Sequence, residues 1–305
     1  MVRTLVTDLE GHLGQVVRVC GWAETGAAAE RLITDHTGTV TVVGGDQMEV
    51  TDGSAVEAVG EVITSPGRGT VAPSGPHRAG RGTVELDVVH LRVLGPAQAG
   101  PPLDERSSLQ ERLDWRYLDL RRPGARLGLV VQTTLERAMR EGWDAHGFVE
   151  IHSPKLLPTG PRHEELFGLR YFDRQAWLAQ SPQFYKQMAM AAGLDRVFEV
   201  GPVFRAEPRL TSRHATEFTS VDVEMAWIES HEEVMAFAEQ WLSHAVGQVS
   251  RCHGTEIGER FGVKITVPRT PFPGSPWPKP GSWHCRMAIR AETSRRTWIR
   301  RRSAW

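Results

Sequence analysis

Two hydrophobic rhythms divide the chain. Over the first part, apolar positions come in short runs broken by glycine-containing turns: residues 16–19 leading to Gly21-Trp22, residues 40–43 after the turn Asp35-His36-Thr37-Gly38, and residues 84–93. Short β-rich runs of this kind predict a small barrel or sandwich. Residues 65–82 are rich in glycine and proline without apolar period and are expected to form a loop. Residues 97–102 have the character of a linker, which sets a domain boundary near residue 100. Beyond it the period turns helical, with Leu127, Val130, Val131, Leu135, Ala138 and Met139 forming a stripe that stops at Gly142. An extended segment from Gly147 to Pro154 follows, then strands at 176–179, 197–204 and 218–228, with a helix over 184–192. Ser230 and Glu233 have capping-box spacing and open a helix whose buried stripe is Val234, Phe237, Trp241, Leu242, Ala245 and Val249. The sum is an α+β domain built on an antiparallel sheet.

Composition narrows the classes. The chain has 305 residues, 40% apolar and 24% charged, which suits two globular domains rather than a disordered chain. Its three cysteines, Cys20, Cys252 and Cys285, are too few and too scattered for a disulfide framework or a four-cysteine zinc site, so reduced thiols and no protein-held metal are expected. No apolar run reaches the roughly 20 residues of a membrane helix, and the start has no signal-peptide pattern, so a cytoplasmic protein with no membrane contact is expected. The net charge of −1 hides a basic end, because eight Lys or Arg face the single acid Glu292 from Pro271 onward. Trp277, Trp283, Trp298 and Trp305 sit there among arginine, serine and proline without any period. Residues 271–305 are therefore read as an aberrant, disordered tail. Out-of-frame translation is one origin; a basic tail that touches RNA phosphates is the other.

Candidate chemistry concentrates in Glu199-Val-Gly-Pro-Val-Phe-Arg-Ala-Glu207, followed by Arg213-His214-Ala-Thr-Glu-Phe218 and Val221-Asp-Val-Glu-Met225. On an extended strand Arg205 and Glu207 would share a face, followed by a basic turn and an aromatic on the returning strand. A nucleotide fits that pattern, with Arg205 on a phosphate, Arg213 or His214 on the phosphate tail and Phe218 stacked on a base. A hairpin with surface charge and one core phenylalanine fits it too. In Leu178-Ala-Gln-Ser-Pro-Gln-Phe-Tyr-Lys-Gln187, Lys186 offers a cation for a buried carboxylate ligand and Gln183 an amide for its polar groups.

These stretches resemble the class II aminoacyl-tRNA synthetases. Phe204-Arg205-Ala206-Glu207 and His214 through Phe218 are similar to motif 2, and Gly147 to Lys155 resembles motif 1, the helix and strand through which these enzymes dimerise. Arg112-Leu-Asp-Trp-Arg-Tyr-Leu-Asp-Leu-Arg121 resembles the opening of the catalytic domain in the aspartyl, asparaginyl and lysyl subgroup. The segment around Ser181, Gln183 and Lys186 is similar to the amino-acid pocket of aspartyl enzymes of the archaeal, non-discriminating kind. Gly14-Gln-Val-Val-Arg-Val-Cys-Gly-Trp22 with the turn at 35–38 resembles the first hairpin of the OB-fold that binds the anticodon in this family.

The resemblance implies an amino-terminal OB-fold barrel over residues 1–100. An incomplete class II catalytic domain over 101–270, an antiparallel sheet flanked by helices with motifs 1 and 2, would follow. It implies an aspartate–tRNA ligase that joins aspartate to ATP as aspartyl-adenylate and passes it to tRNA for Asp and possibly Asn. Arg205 and Glu207 would be catalytic, with Arg213, His214 and Phe218 also on ATP, and Ser181, Gln183 and Lys186 would hold the amino acid. A homodimer through 147–154 and Mg²⁺ with ATP are implied as well. The sequence departs from the family in three places. Residues 25–30 are alanine-rich and lack the second-strand aromatic. The loop glutamate that grips the substrate ammonium falls near Pro161, beside Arg162, Glu164 and Glu165. Motif 3 is not found, family-like sequence persists to about Pro273, and the metal ligands are expected in the part that is not there. A truncated, impaired or inactive ligase is therefore expected. A non-catalytic tRNA- or partner-binding fragment, or an asparaginyl or non-discriminating enzyme, are the alternatives.

Overall fold

The structure is a computed structural model that describes residues 1–26, 29–44, 50–64, 84–98, 102–104, 106–158, 166–207, 211 and 214–272. The expected loop at 65–82, the residues around Pro161 and the tail from 273 onward lie outside the described residues. Two compact units emerge, one made of Met1–Thr134 with Val249–Thr266, the other of Leu135–Gln248 with residues 267–272.

The first unit holds a closed five-stranded barrel in the order β1-β2-β3-β5-β4, with β1 Val16–Thr25, β2 Arg31–Thr34, β3 Thr39–Val43, β4 Ala55–Thr64 and β5 Val84–Gly95. Alternation along the strands sends Val17, Val19, Ile33, Val40, Val56, Val62, Leu86 and Val88 inward. A 3-10 helix, Val6–His12, closes one part of this core with Val6 and Leu9. Gly21 is required where β1 crosses β2, since a Cβ there would lie 2.5 Å from the Thr34 carbonyl oxygen. The predicted turn at 35–38 is held by Asp35, whose buried carboxylate accepts the N–H groups of Val6, Thr37 and Gly38 at 2.7–3.1 Å.

Helices follow the barrel. Ser108 and Glu111 form a reciprocal capping box at the start of α1 Leu109–Asp114, and α2 Arg116–Asp119 and α3 Pro123–Ala145 continue the chain. The guanidinium of Arg121 lies 3.4 Å over the Trp22 ring and donates to the Gly53 carbonyl, while Arg126 donates to the Asp35 carbonyl at 3.1 Å. Late in α5, which runs His231–Phe261, the buried His253 ring bonds Thr134 Oγ1 at 2.8 Å.

The second unit carries two three-stranded sheets. One has the order β11-β10-β6, from β6 Val149–Glu150, β10 Arg196–Phe204 and β11 Glu217–Met225; the other joins β7 Leu156–Leu157, β9 Arg174–Leu178 and β8 Gly168–Tyr171. The helix α4, Gln183–Ala191, lies between β9 and β10 in the chain. The long β10/β11 pair is antiparallel as expected, but β6 runs parallel to β10, because the chain between them crosses over through the second sheet and α4 instead of turning back as a hairpin. Trp143, Phe148 and Phe198 centre the core, with ring centroids of Trp143 4.1 Å from Phe198 and 5.0 Å from Trp241. The helical stripe read from sequence stopped one residue short of Trp143, its most buried member. Within the predicted stripes, Val130 and Val234 turn out to be exposed.

Candidate functional site

The pleat of the β10/β11 pair sorts its residues by face. Val197, Glu199, Gly201 and Val203 stand opposite Glu224, Asp222, Ser220 and Phe218 in that register, so these eight share one face. Phe198, Val200, Val223 and Met225 point the other way, into the aromatic core. One face of the hairpin thus packs on the aromatic core, and the other carries the acids Glu199, Asp222 and Glu224 beside the buried Val197 and Val203.

At one end of the polar face stands Phe218, half buried, with the Arg205 guanidinium carbon 5.2 Å from its ring centroid. Arg205 and Glu207 do not lie on one strand face as their spacing suggested. β10 ends at Phe204, the Arg205 N–H donates to the Thr216 carbonyl at 2.8 Å, and the Glu207 N–H then closes a tight turn onto the Arg205 carbonyl at 2.8 Å. His214 bridges to Thr211, with Nδ1 2.7 Å from Oγ1. Arg213 lies outside the described residues.

At the other end, Pro182 starts α4 and places Lys186 one turn in, where its side chain reaches back onto β11. Lys186 is 3% exposed; its ammonium lies 3.1 Å from Asp222 and 3.3 Å from Glu224 and donates to the Val223 carbonyl at 3.4 Å. Gln183, exposed, donates to Glu224 at 3.4 Å, and exposed Ser181 accepts the Gln183 N–H at 3.5 Å. Ser220 steadies the second oxygen of Asp222 at 2.6 Å. Phe218 and Asp222 are four strand positions apart, about 13 Å along the face.

Sequence reasoning offered Lys186 as the counter-charge for a ligand carboxylate. In the structure two carboxylates of the protein already hold it. Their signal was present in the alternation Asp222-Val-Glu224, which puts both acids on the face opposite the core. A second buried pair was missed altogether. Glu199, 3% exposed, accepts from Lys155 at 2.7 Å, from the Ser153 hydroxyl at 2.7 Å and from the Ser153 N–H at 3.1 Å. Burial pushes the Glu199 carboxyl up, but the bonds from Lys155 and Ser153 outweigh it and hold the group below the usual carboxylate range. Among the described residues no cluster of three or more His, Cys, Asp or Glu is arranged to hold a metal, no helix is long and apolar enough to cross a membrane, and Cys20 and Cys252 are free thiols.

The candidate site is thus one face of an antiparallel hairpin, met at one end by the buried lysine of α4. The family model for tRNA synthetases class II (D, K and N) matches residues 108–284, and the chain belongs to that family. It is 37% identical over 287 residues to the aspartate–tRNA(Asp/Asn) ligase of Aeropyrum pernix, covering 90% of this chain and 63% of that protein. It is also 42% identical over 186 residues to the aspartate–tRNA(Asp) ligase of Thermococcus kodakarensis, covering 59% of this chain and 42% of that protein. Among solved structures it resembles the asparaginyl-tRNA synthetase of Pyrococcus horikoshii complexed with asparaginyl-adenylate, at TM-score 0.72 and 28% identity, over 85% of this chain and 61% of that one. The chain thus spans about four to six tenths of the length of these relatives. The barrel and the sheet domain with helices expected from sequence are both present.

Proposed function

We propose that the protein acts as an aspartate–tRNA ligase, with the polar face of β10 and β11 holding the aspartyl-adenylate. The observation that carries this reading is the single strand face with Phe218 at one end and the Lys186–Asp222–Glu224 group at the other, about 13 Å apart, a span suited to an aminoacyl nucleotide. The base stacks on Phe218. Arg205 exchanges its contact with that ring for the α-phosphate, and Arg213 and His214 take the phosphate tail, with Glu207 beside them. Gln183 and Ser181 hold polar groups of the amino acid, and Lys186 its side-chain carboxylate. An oxygen of the aspartate α-carboxylate attacks the α-phosphorus, the bond to the bridging oxygen breaks, and pyrophosphate leaves with the electron pair. Little proton transfer is needed, so positioning and charge stabilisation supply the rate. Mg²⁺ neutralises developing phosphate charge in such reactions. Among the described residues no group of three or more His, Cys, Asp or Glu is arranged to hold a metal, and the metal has no part in the roles assigned to them.

The adenylate then passes to tRNA, proposed to lie against the barrel through phosphate and base contacts. A homodimer through 147–154 is proposed on the two-residue edge strand β6, where Val149 is exposed. One observation favours a second reading, asparagine as substrate: Lys186 already has two partners, and a neutral amide needs no cation. Calorimetric titration of the 305-residue chain with L-aspartate, L-asparagine and a non-hydrolysable ATP analogue separates the two. Aspartate is expected to bind better than asparagine, and Lys186→Met to abolish the difference. Preference for asparagine, or no binding of either, would overturn the aspartate reading.

A further inference from the structure

Glu199 and Asp222 are direct cross-strand partners on the polar face. Side chains so placed have Cβ atoms about 5 Å apart, and two carboxylates there repel unless each has its own cation. Two lysines from separate parts of the chain provide them: Lys155, the last residue of the segment that resembles motif 1, for Glu199 at 2.7 Å, and Lys186, in α4, for Asp222 at 3.1 Å. The Lys155 stem lies over Gly201, its ammonium 3.6 Å from where a Cβ would stand, which keeps it on this same face. Ser153 also binds Lys155, at 3.0 Å, so the lysine is held in place from two sides. Glu224 is left as the acid in excess, shared with Lys186 and Gln183.

We infer that Lys155, paired with Glu199, is a specificity-determining residue that sets how much of the Lys186 charge remains for an anionic substrate side chain. The inference rests on the aspartate reading above. Lys155 needs no contact with the substrate to do this; it is a positioning and charge-balancing residue. When Glu199 is neutralised by Lys155, Lys186 answers only to Asp222 and Glu224. Without Lys155, Glu199 becomes a buried, uncompensated carboxylate beside Asp222, and its field draws on the same ammonium. An incoming carboxylate then meets a more negative pocket, whereas an incoming amide is little affected.

The test is the ratio of L-aspartate to L-asparagine affinity, measured by calorimetry on the 305-residue chain and three variants. Lys155→Met removes a positive charge and is expected to lower the ratio about tenfold. Glu199→Gln removes a negative charge and is expected to raise it by about the same factor. Lys155→Met/Glu199→Gln restores the balance and is expected to return the ratio to near the wild-type value. A purely structural role would weaken both ligands together in all three. Should Lys155→Met fail to fold, the rise in Glu199→Gln and its reversal in the double variant still decide the matter. Unchanged ratios in folded variants of a wild type that binds aspartate would overturn this inference alone. A wild type that binds neither amino acid would overturn the aspartate reading, and this inference with it.

Discussion

Buried charge is used differently in the barrel and on the β10/β11 face. In the barrel each buried acid is saturated by fixed donors. Asp35 takes three backbone N–H groups and the Thr37 hydroxyl besides Arg3, and Glu57 sits between Arg18 at 2.6 Å and Arg92 at 3.0 Å. Nothing is left over for a ligand. On the hairpin face three acids, Glu199, Asp222 and Glu224, share two cations among the described residues, Lys155 and Lys186, with hydrogen bonds from Ser153, Ser220 and Gln183, and the side chains at the two ends, Gln183, Ser181 and Arg205, are exposed. A charge set that does not close on itself, over a rigid sheet, is what a site for a polar substrate requires. The aromatic packing that anchors the hairpin lies on its other face, while Val197 and Val203 add apolar burial beside the acids.

That division can be broken first at the aromatic core. Trp143 is fully buried and stacked between Phe198 and Trp241, and its indole N–H has no partner among the described residues. Trp143→Ala is expected to cost about 3–5 kcal/mol in denaturant unfolding and to abolish aspartate binding along with the fold. Trp143→Phe keeps most of the packing and removes the unpartnered donor, so a loss of about 1 kcal/mol is expected. Next in size, Asp35→Ala leaves several buried N–H groups without an acceptor and is expected to cost about 2–3 kcal/mol, with aspartate affinity unchanged. A large change in affinity with no change in stability would contradict the assignment of Asp35 to structure alone.

The smallest effect is on pH. Burial pushes the His253 imidazole below its usual value, with Glu256 pulling weakly the other way, so the folded first unit holds it neutral. The unfolded chain binds that proton more readily, and stability from His253 is lost as pH falls below about 6.5. Glu199 is held low instead. Its contribution is present above the ordinary carboxylate value of about 4.5 and is lost only as pH falls further, through its folded value. Hydrogen exchange across an acid series is expected to show amides of α5 near His253 loosening at higher pH than those of β10. The reverse order would contradict the assignment.

Much of this was legible in the sequence, for physical reasons that differ by region. Val16 to Val19 and the β10 run alternate or cluster apolar residues in the strand pattern, and the Phe204-Arg-Ala-Glu207 spacing is specific enough to carry the family. β2 and β4 were not visible. Four residues, Arg31–Thr34, are too few to show a period, and β4 spends its positions on Ala55, Ala58, Gly60 and three glutamate or threonine residues, so its inward Val56 and Val62 stand out only once the barrel is closed. At the site, Arg205, Phe218 and Lys186 were named from motif spacing. Their partners were not, because Lys186 meets Asp222 from 36 residues away and Lys155 meets Glu199 from 44, separations at which no local rule applies. The turn at Arg205 was missed because strand spacing was extended past Phe204, the last residue of β10.

The most direct measurement is calorimetric titration of the wild type and of Lys186→Met with a non-hydrolysable aspartyl-adenylate mimic, which engages both ends of the polar face at once. The account predicts tight binding to the wild type and about a hundredfold weaker binding to the variant, the scale of one buried charged hydrogen bond. Equal affinity for the two, with both folded, would contradict it.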